Sequence, residues 1–98
     1  MRRKIEKRVY KETQKIPLYA QIAASEALSA IENATDFSHL CELADIVPME
    51  GTNEPYYRLR FNQYRYILFY DAESETLEVL SLTHRKDTYK KHNLPWRR

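Results

Sequence analysis

The residues of this chain best equipped for chemistry are arginines and tyrosines. Arg58, Arg60 and Arg65 crowd one short stretch, and a second ionisable stretch, His84-Arg85-Lys86-Asp87-Thr88-Tyr89, follows it. A guanidinium is a fixed fork of donors that keeps its charge and grips anionic oxygens two at a time. An imidazole titrates near neutrality, whereas a phenol, with a reference pKa of about 10, needs nearby cations to favour its ionised form. These types suit an anion with proton transfer beside it. Other chemistries find little footing. The single glycine leaves no glycine-rich phosphate loop, and no serine sits in a G-x-S-x-G turn. His39, His84 and His92 have no ligand spacing with each other or with Cys41, so neither a metal nor a cofactor is expected.

Such side chains need elements to hold them. Met49 to Pro55 carries Gly51 beside Thr52, Asn53 and Pro55 and reads as a loop. After it, Tyr56–Phe61, Tyr64–Tyr70 and Leu77–Thr83 are rich in aromatic and branched residues, as strands are. The gaps Asn62-Gln63 and Asp71 to Glu75 are short enough to join antiparallel neighbours, which predicts a three-stranded meander. Alternation sends Tyr57, Leu59 and Phe61 toward one face and Arg58 and Arg60, with Tyr56, toward the other. Arg65 shares its face with Ile67 and Phe69, and periodicity alone does not set it beside Arg58 and Arg60. A permanent charge in so apolar a strand is costly unless it is paired or reaches water. Charged decoration of an exposed strand face accounts for Arg58 and Arg60 by composition alone, and a polar tail accounts for His84 to Tyr89. Placement next to Arg65 is what would make the second stretch a site.

Upstream the pattern is helical. Ile5, Val9 and Ile16 suggest a short amphipathic helix from about Ile5 to Lys15, with a brief strand before it left open. Pro17 interrupts it and suits the first turn of a second helix, from about Leu18 to Asn33. Ala20, Ala24, Ala27, Leu28 and Ile31 make one stripe on that helix, and the pair reads as a helical hairpin. Thr35 and Asp36 cap a further turn in which Phe37, Leu40, Leu43 and Ala44 face inward. Helices first and strands afterwards predict an α+β fold. The N-terminal helical hairpin packs on one face of a small antiparallel sheet and leaves the other partly open.

A length of 98 residues suits one domain over 1–98, with a tail from about Lys90 in which Trp96 is expected to dock on the domain. The hydrophobic share of 43% and eight tyrosines argue against disorder. Cys41, being alone, forms no internal disulfide; it suits a reducing compartment and is expected to be buried and inert. No apolar run approaches the ~20 residues of a membrane span, and no apolar segment follows the basic start. The cytoplasm is therefore expected, with no membrane partner. The net charge of +2 predicts nothing by itself, but both ends are basic and the middle is acidic. That split points weakly to a polyanion on one face, and solvated basic tails explain it as well.

An ordered set of segments nevertheless resembles the RelE/ParE toxin superfamily. They are Leu43-Ala44-Asp45-Ile46-Val47-Pro48-Met49-Glu50-Gly51, Tyr57-Arg58-Leu59-Arg60, Tyr64-Arg65-Tyr66 and His84-Arg85-Lys86-Asp87-Thr88-Tyr89, within a similarity spanning about Val9 to Tyr89. The resemblance implies a helical hairpin on a twisted antiparallel sheet and a cognate antitoxin that wraps the toxin. It also implies a complex that often binds operator DNA as a repressor. In RelE-like members it implies cleavage of messenger RNA in the ribosome. By position, Arg58 and Arg60 would hold RNA phosphates, Arg65 the scissile phosphate and Arg85 the leaving oxygen, with Tyr89 as base. Lys86 and Lys90 would add phosphate contacts, and His84 is the competing acid or base. Two departures stand out. The first eight residues are mostly charged, so the family's first strand is expected to be short or absent, and Arg85 to Tyr89 is tighter than in ribosome-dependent members.

The expected activity is therefore metal-independent endoribonuclease cleavage of mRNA, which inhibits translation and is neutralised by the antitoxin. A ParE-like gyrase inhibitor without chemistry of its own is the alternative, as is an inactive antitoxin-binding co-repressor. Fold alone does not choose among them.

Overall fold

The computed structural model describes residues 1–97. Strand β1 (Arg2–Ile5) leads into helices α1 (Lys7–Gln14), α2 (Leu18–Asn33) and α3 (Phe37–Leu43). Strands β2 (Asp45–Pro48), β3 (Tyr56–Phe61), β4 (Tyr64–Asp71) and β5 (Thr76–His84) follow, then two 3-10 turns at Lys91–Asn93 and Pro95–Arg97. The strands form one five-stranded sheet in the order β1-β5-β4-β3-β2. The α+β class and the β3-β4-β5 meander agree with the sequence reading. Two edge strands enlarge it. β1 pairs parallel with β5, so the sheet is mixed, and β2 pairs antiparallel with β3. Charged β1 is a strand because its backbone groups pair with β5; three of its four residues stay exposed or reach out, and no apolar alternation was there to announce it.

The helices cover one sheet face. Ala24, Ala27 and Ile31 of the α2 stripe are buried against Leu59, Tyr66, Leu68, Leu77, Val79 and Leu82, and Ala20 is buried as well. Small alanines let the helix sit close to the sheet, and Tyr57, Phe61 and Tyr64 pack at the margin of this core. In α3 the cap is Asp36, whose carboxylate accepts the His39 N–H at 2.8 Å. Leu40 is buried there, but Leu43 and Cys41 are exposed, contrary to expectation. With only seven residues, α3 presents a single line to the core, through Phe37, Leu40 and Ala44, and positions off that line meet solvent.

Two charged side chains near the start seal backbone ends rather than decorating a tail. Arg3 on β1 donates through Nε to the Ile31 carbonyl at 2.6 Å and through a second nitrogen to the Ala34 carbonyl. A cation over the last carbonyls of α2 satisfies acceptors the helix leaves unpaired and complements its dipole. Glu12 acts on the sheet. β1 pairs with β5 only from Thr76 to Val79, beyond which the β5 edge would lie open. There the Leu82 N–H donates to Glu12 Oε1 at 3.1 Å, while Arg8 steadies the other carboxylate oxygen at 3.2 Å.

The opposite sheet face is half covered by the tail. Met49, Ile67 and Leu94 form a second, smaller core with Tyr56, Leu80 and Trp96 around it. Trp96 docks as expected, its ring 5.2 Å from that of Tyr56. A bulge in β5 serves this face: Leu80 and Ser81 together oppose the Ile67 region, since Ile67 pairs with Ser81 and Leu68 with Val79. The extra residue shifts the alternation, so Val79 and Leu82 both reach the helical side while Ser81 and Thr83 reach the other.

Replacing Glu12 by alanine strands the Leu82 N–H at the sheet edge. The expected loss is about 1–3 kcal/mol of unfolding free energy, read by urea denaturation, and Glu12→Gln should recover part of it.

Candidate functional site: an arginine face beside the β3–β4 turn

The site grows out of one hairpin. Asn62 takes a positive φ of 51°, a conformation asparagine tolerates, and with Gln63 closes a two-residue turn between β3 and β4. That turn sets Arg60 opposite Arg65 and Arg58 opposite Ile67. Directly opposed residues share a face, so Arg58, Arg60 and Arg65 all stand on the side away from the helices. The register thus answers what alternation left open. One row across the sheet reads Asp45, Arg60, Arg65, Thr83.

Each guanidinium has a different situation. Arg60 is held by Asp45 through two parallel bonds, Nε to Oδ2 and a terminal nitrogen to Oδ1, both 3.0 Å. The hydrogen bonds it donates to this carboxylate, then the carboxylate's charge, raise the Arg60 pKa. Arg58 donates to the Tyr89 hydroxyl at 2.6 Å and lies 5.4 Å from the centre of that ring, while its Nε is buried without a hydrogen-bond partner. Among the described residues Arg65 donates only to the carbonyl of its own neighbour, Tyr64, at 3.2 Å. Partial burial lowers its pKa first, and the charges of Arg58, Arg60 and Arg85 lower it further, outweighing the opposite effect of Asp45. A guanidinium stays charged under such pressure, so the site concentrates positive potential in a partly buried place. A hollow of about 260 Å³, lined by Asp45, Arg60, Phe61, Asn62 and Arg65, opens beside it.

The second ionisable stretch arrives by backbone anchoring. The Arg85 N–H donates to the Gln63 carbonyl at 2.6 Å, tying the exit of β5 to the β3–β4 turn and bringing Arg85 within electrostatic reach of Arg65. Thr88, only 1% exposed, shares a hydrogen bond with Thr83 at 2.9 Å and donates to the His84 carbonyl at 3.2 Å. This turn delivers Tyr89, whose oxygen accepts from Arg58 and from the Glu50 N–H at 3.0 Å. Tyr89 thus joins the arginine face through Arg58, and Arg85 lies near enough for its charge to act on Arg65. His84 does not join them. It pairs across the sheet with Tyr64, packs its ring edge-on against that tyrosine at 5.4 Å, and accepts the Lys86 N–H at Nδ1. Lys86 is exposed, and Lys90 is bound to Asp87 at 2.7 Å. That contact is also the first cause holding the Asp87 carboxyl below its usual range. No group of three or more His, Cys, Asp or Glu gathers among the described residues.

Sequence reasoning missed three participants: the carboxylate of Asp45, the backbone N–H of Glu50 and the Thr83–Thr88 pair. Asp45 read as one acid of an acidic middle, and only strand pairing reveals it beside a cation fifteen residues on. No side-chain signal could have announced a main-chain donor.

A helical layer on one side of a mixed sheet, with an arginine row on the other, defines a class of small α+β protein known from toxin–antitoxin systems. A family model described as "ParE toxin of type II toxin-antitoxin system, parDE" matches residues 3–89, so the chain belongs to the ParE toxin family. Among solved structures it is similar to the RelB–RelE antitoxin–toxin complex of Methanococcus jannaschii, at TM-score 0.67 and 21% identity over 89% of this chain and 95% of that one. It is also similar to the RelE–RelB complex of Pyrococcus horikoshii OT3, at 0.63 and 28% over 86% and 93%. The RelBE2 toxin–antitoxin complex of Mycobacterium tuberculosis follows at 0.56 and 19%, over 86% and 96%. No curated protein matches significantly. Among the described residues, no helix is long and apolar enough to cross a membrane.

Thr88→Val leaves the Thr83 hydroxyl without its partner. It should cost about 1–2 kcal/mol and speed hydrogen exchange at the Asp87 and Lys90 amides, which bond back across this turn.

Proposed function

We propose that the chain is a type II toxin that cuts messenger RNA at the ribosome and so stops translation in the cytoplasm, and that a cognate antitoxin restrains it. The observation that carries this reading is Arg65. Its guanidinium is partly buried, bonded among the described residues only to a neighbouring carbonyl, and crowded by three like charges. Such a group gains most from an anion with several oxygens, and a phosphate in a crowded transition state is that anion.

In the proposed reaction a ribose 2′-oxygen attacks the adjacent phosphorus. The 2′-O–P bond forms as the bond to the 5′-oxygen breaks, leaving a 2′,3′-cyclic phosphate and a 5′-hydroxyl. Arg65 holds the phosphate oxygens, and Arg85 faces the charge growing on the leaving oxygen, which a proton then neutralises. Tyr89 receives the 2′ proton once substrate displaces one of the two donors now on its oxygen. Lys86 and Arg58 steady flanking phosphates. His84 is given no part, because it lies against Tyr64. Operator DNA is met only through the toxin–antitoxin complex in this reading. One domain over 1–98 carries all of it.

A second reading, gyrase inhibition by binding alone, is favoured by the ParE wording of the matching family. It gives the Arg65–Arg85–Tyr89 grouping no task. Purified protein with translating ribosomes and a reporter mRNA separates the two: Arg65→Ala and Arg85→Ala should each slow cleavage ~100-fold or more, and Tyr89→Phe should change the pH profile as well. Full toxicity and undiminished cleavage in both arginine variants would sink the nuclease reading. Inhibition of DNA supercoiling without any mRNA cleavage would establish the other.

A further inference from the structure

We propose that Asp45 is an internal stand-in for an RNA phosphate: it occupies Arg60 until a strand of RNA displaces it, and so sets how strongly the arginine face binds. This rests on the RNA-cutting reading above and adds a specificity-determining residue to it.

The argument starts from the row Asp45, Arg60, Arg65 across three adjacent strands. Arg60 faces a like charge on one side, which is unfavourable, and a carboxylate on the other, which offsets it. The carboxylate binds in the forked, two-bond geometry that a phosphate also adopts. The pair is open to solvent, with 41% of the Arg60 side chain and 55% of the Asp45 side chain exposed. An exposed ion pair is weak, so exchange with an incoming anion is easy. Asp45 also lines the same hollow as Arg65, the one that opens at the β3–β4 turn. A phosphate arriving at Arg65 therefore meets the Asp45 charge at close range and finds the Arg60 fork filled. A single loosely held phosphate is turned away, whereas a strand fixed by several phosphates at once displaces the carboxylate and gains Arg60. Asp45 thus biases the face toward RNA already held in place.

Arg58 shows the same logic with a neutral occupant, the Tyr89 hydroxyl. Asp45 instead puts a negative charge directly on an arginine of the row, so its removal is the informative change.

The test is binding of a single-stranded 2′-O-methyl RNA, which lacks the attacking hydroxyl, measured by fluorescence anisotropy over a salt series. Asp45→Asn should bind roughly three- to ten-fold more tightly than wild type. Its salt slope should steepen, because no freed carboxylate is left to take up a cation when the strand reaches Arg60. Asp45→Thr, neutral and suited to a strand, should behave alike and covers the case in which asparagine disturbs the edge. In an Arg60→Ala background the gain should vanish. Unchanged affinity and slope in both Asp45 variants overturn the proposal, as does a gain that survives loss of Arg60, since Asp45 would then act only as a general negative charge. If wild type cleaves mRNA and the Asp45 variants gain nothing, this inference alone falls. If neither wild type nor variants bind or cut RNA, the nuclease reading falls and this one with it.

Discussion

Two guanidinium groups held directly opposite each other repel, and the β3–β4 hairpin leaves Arg60 and Arg65 in that position. Its two-residue turn, closed by Asn62 in a left-handed conformation, sets the register, and the register sets everything on the open face. A slip of one residue would send Leu59 and Tyr66, both fully buried, out of the core. The core therefore enforces a charge arrangement that the charges themselves resist. Asp45 relieves one end of the row, and Arg65 is left in the middle with a carbonyl for company.

The rest of the molecule stabilises that face from behind and beside. Alanines on α2 let the helix lie close on the sheet, and Arg3 and Glu12 satisfy the helix end and sheet edge that this packing would otherwise leave unpaired. On the open side the tail covers only the far half, around Met49, Ile67 and Leu94. The covered half is apolar and the uncovered half is cationic. The bulge at Leu80 and Ser81 marks the boundary, because it sets Ser81 and Thr83 on the side away from the helices, where both are buried, and Thr83 then anchors the turn that brings Tyr89 back.

RNA cutting and gyrase binding are both compatible with this frame, since related folds host different tasks and the difference resides in side chains. What distinguishes a cutting site is a set of donors around one anion with a group able to move a proton. The convergence of Arg58 and the Glu50 N–H on the Tyr89 oxygen ties that phenol to the arginine face. His84, attractive by its chemistry, stands on the other side of its strand, where Tyr64 holds it.

Local pattern carried the reading of α2, the Asp36 cap and the three meander strands, because alternation, helical spacing and capping are written in neighbouring residues. The same logic separated Arg58 and Arg60 from Tyr57, Leu59 and Phe61, which face the helices. It left β1 open and missed β2, since their strand character comes from pairing with a neighbour, and it failed for Cys41 and Leu43, whose apolar nature does not outweigh the narrow contact line of α3. The sequence by itself determined the layer order, the core stripe and the stock of arginines and tyrosines. Only the tertiary structure decided which of them meet: Arg65 beside Arg60, Asp45 against Arg60 and Tyr89 against Arg58 are contacts between strands and turns far apart in the chain. Register and a bulge set those contacts, and neither is legible in composition.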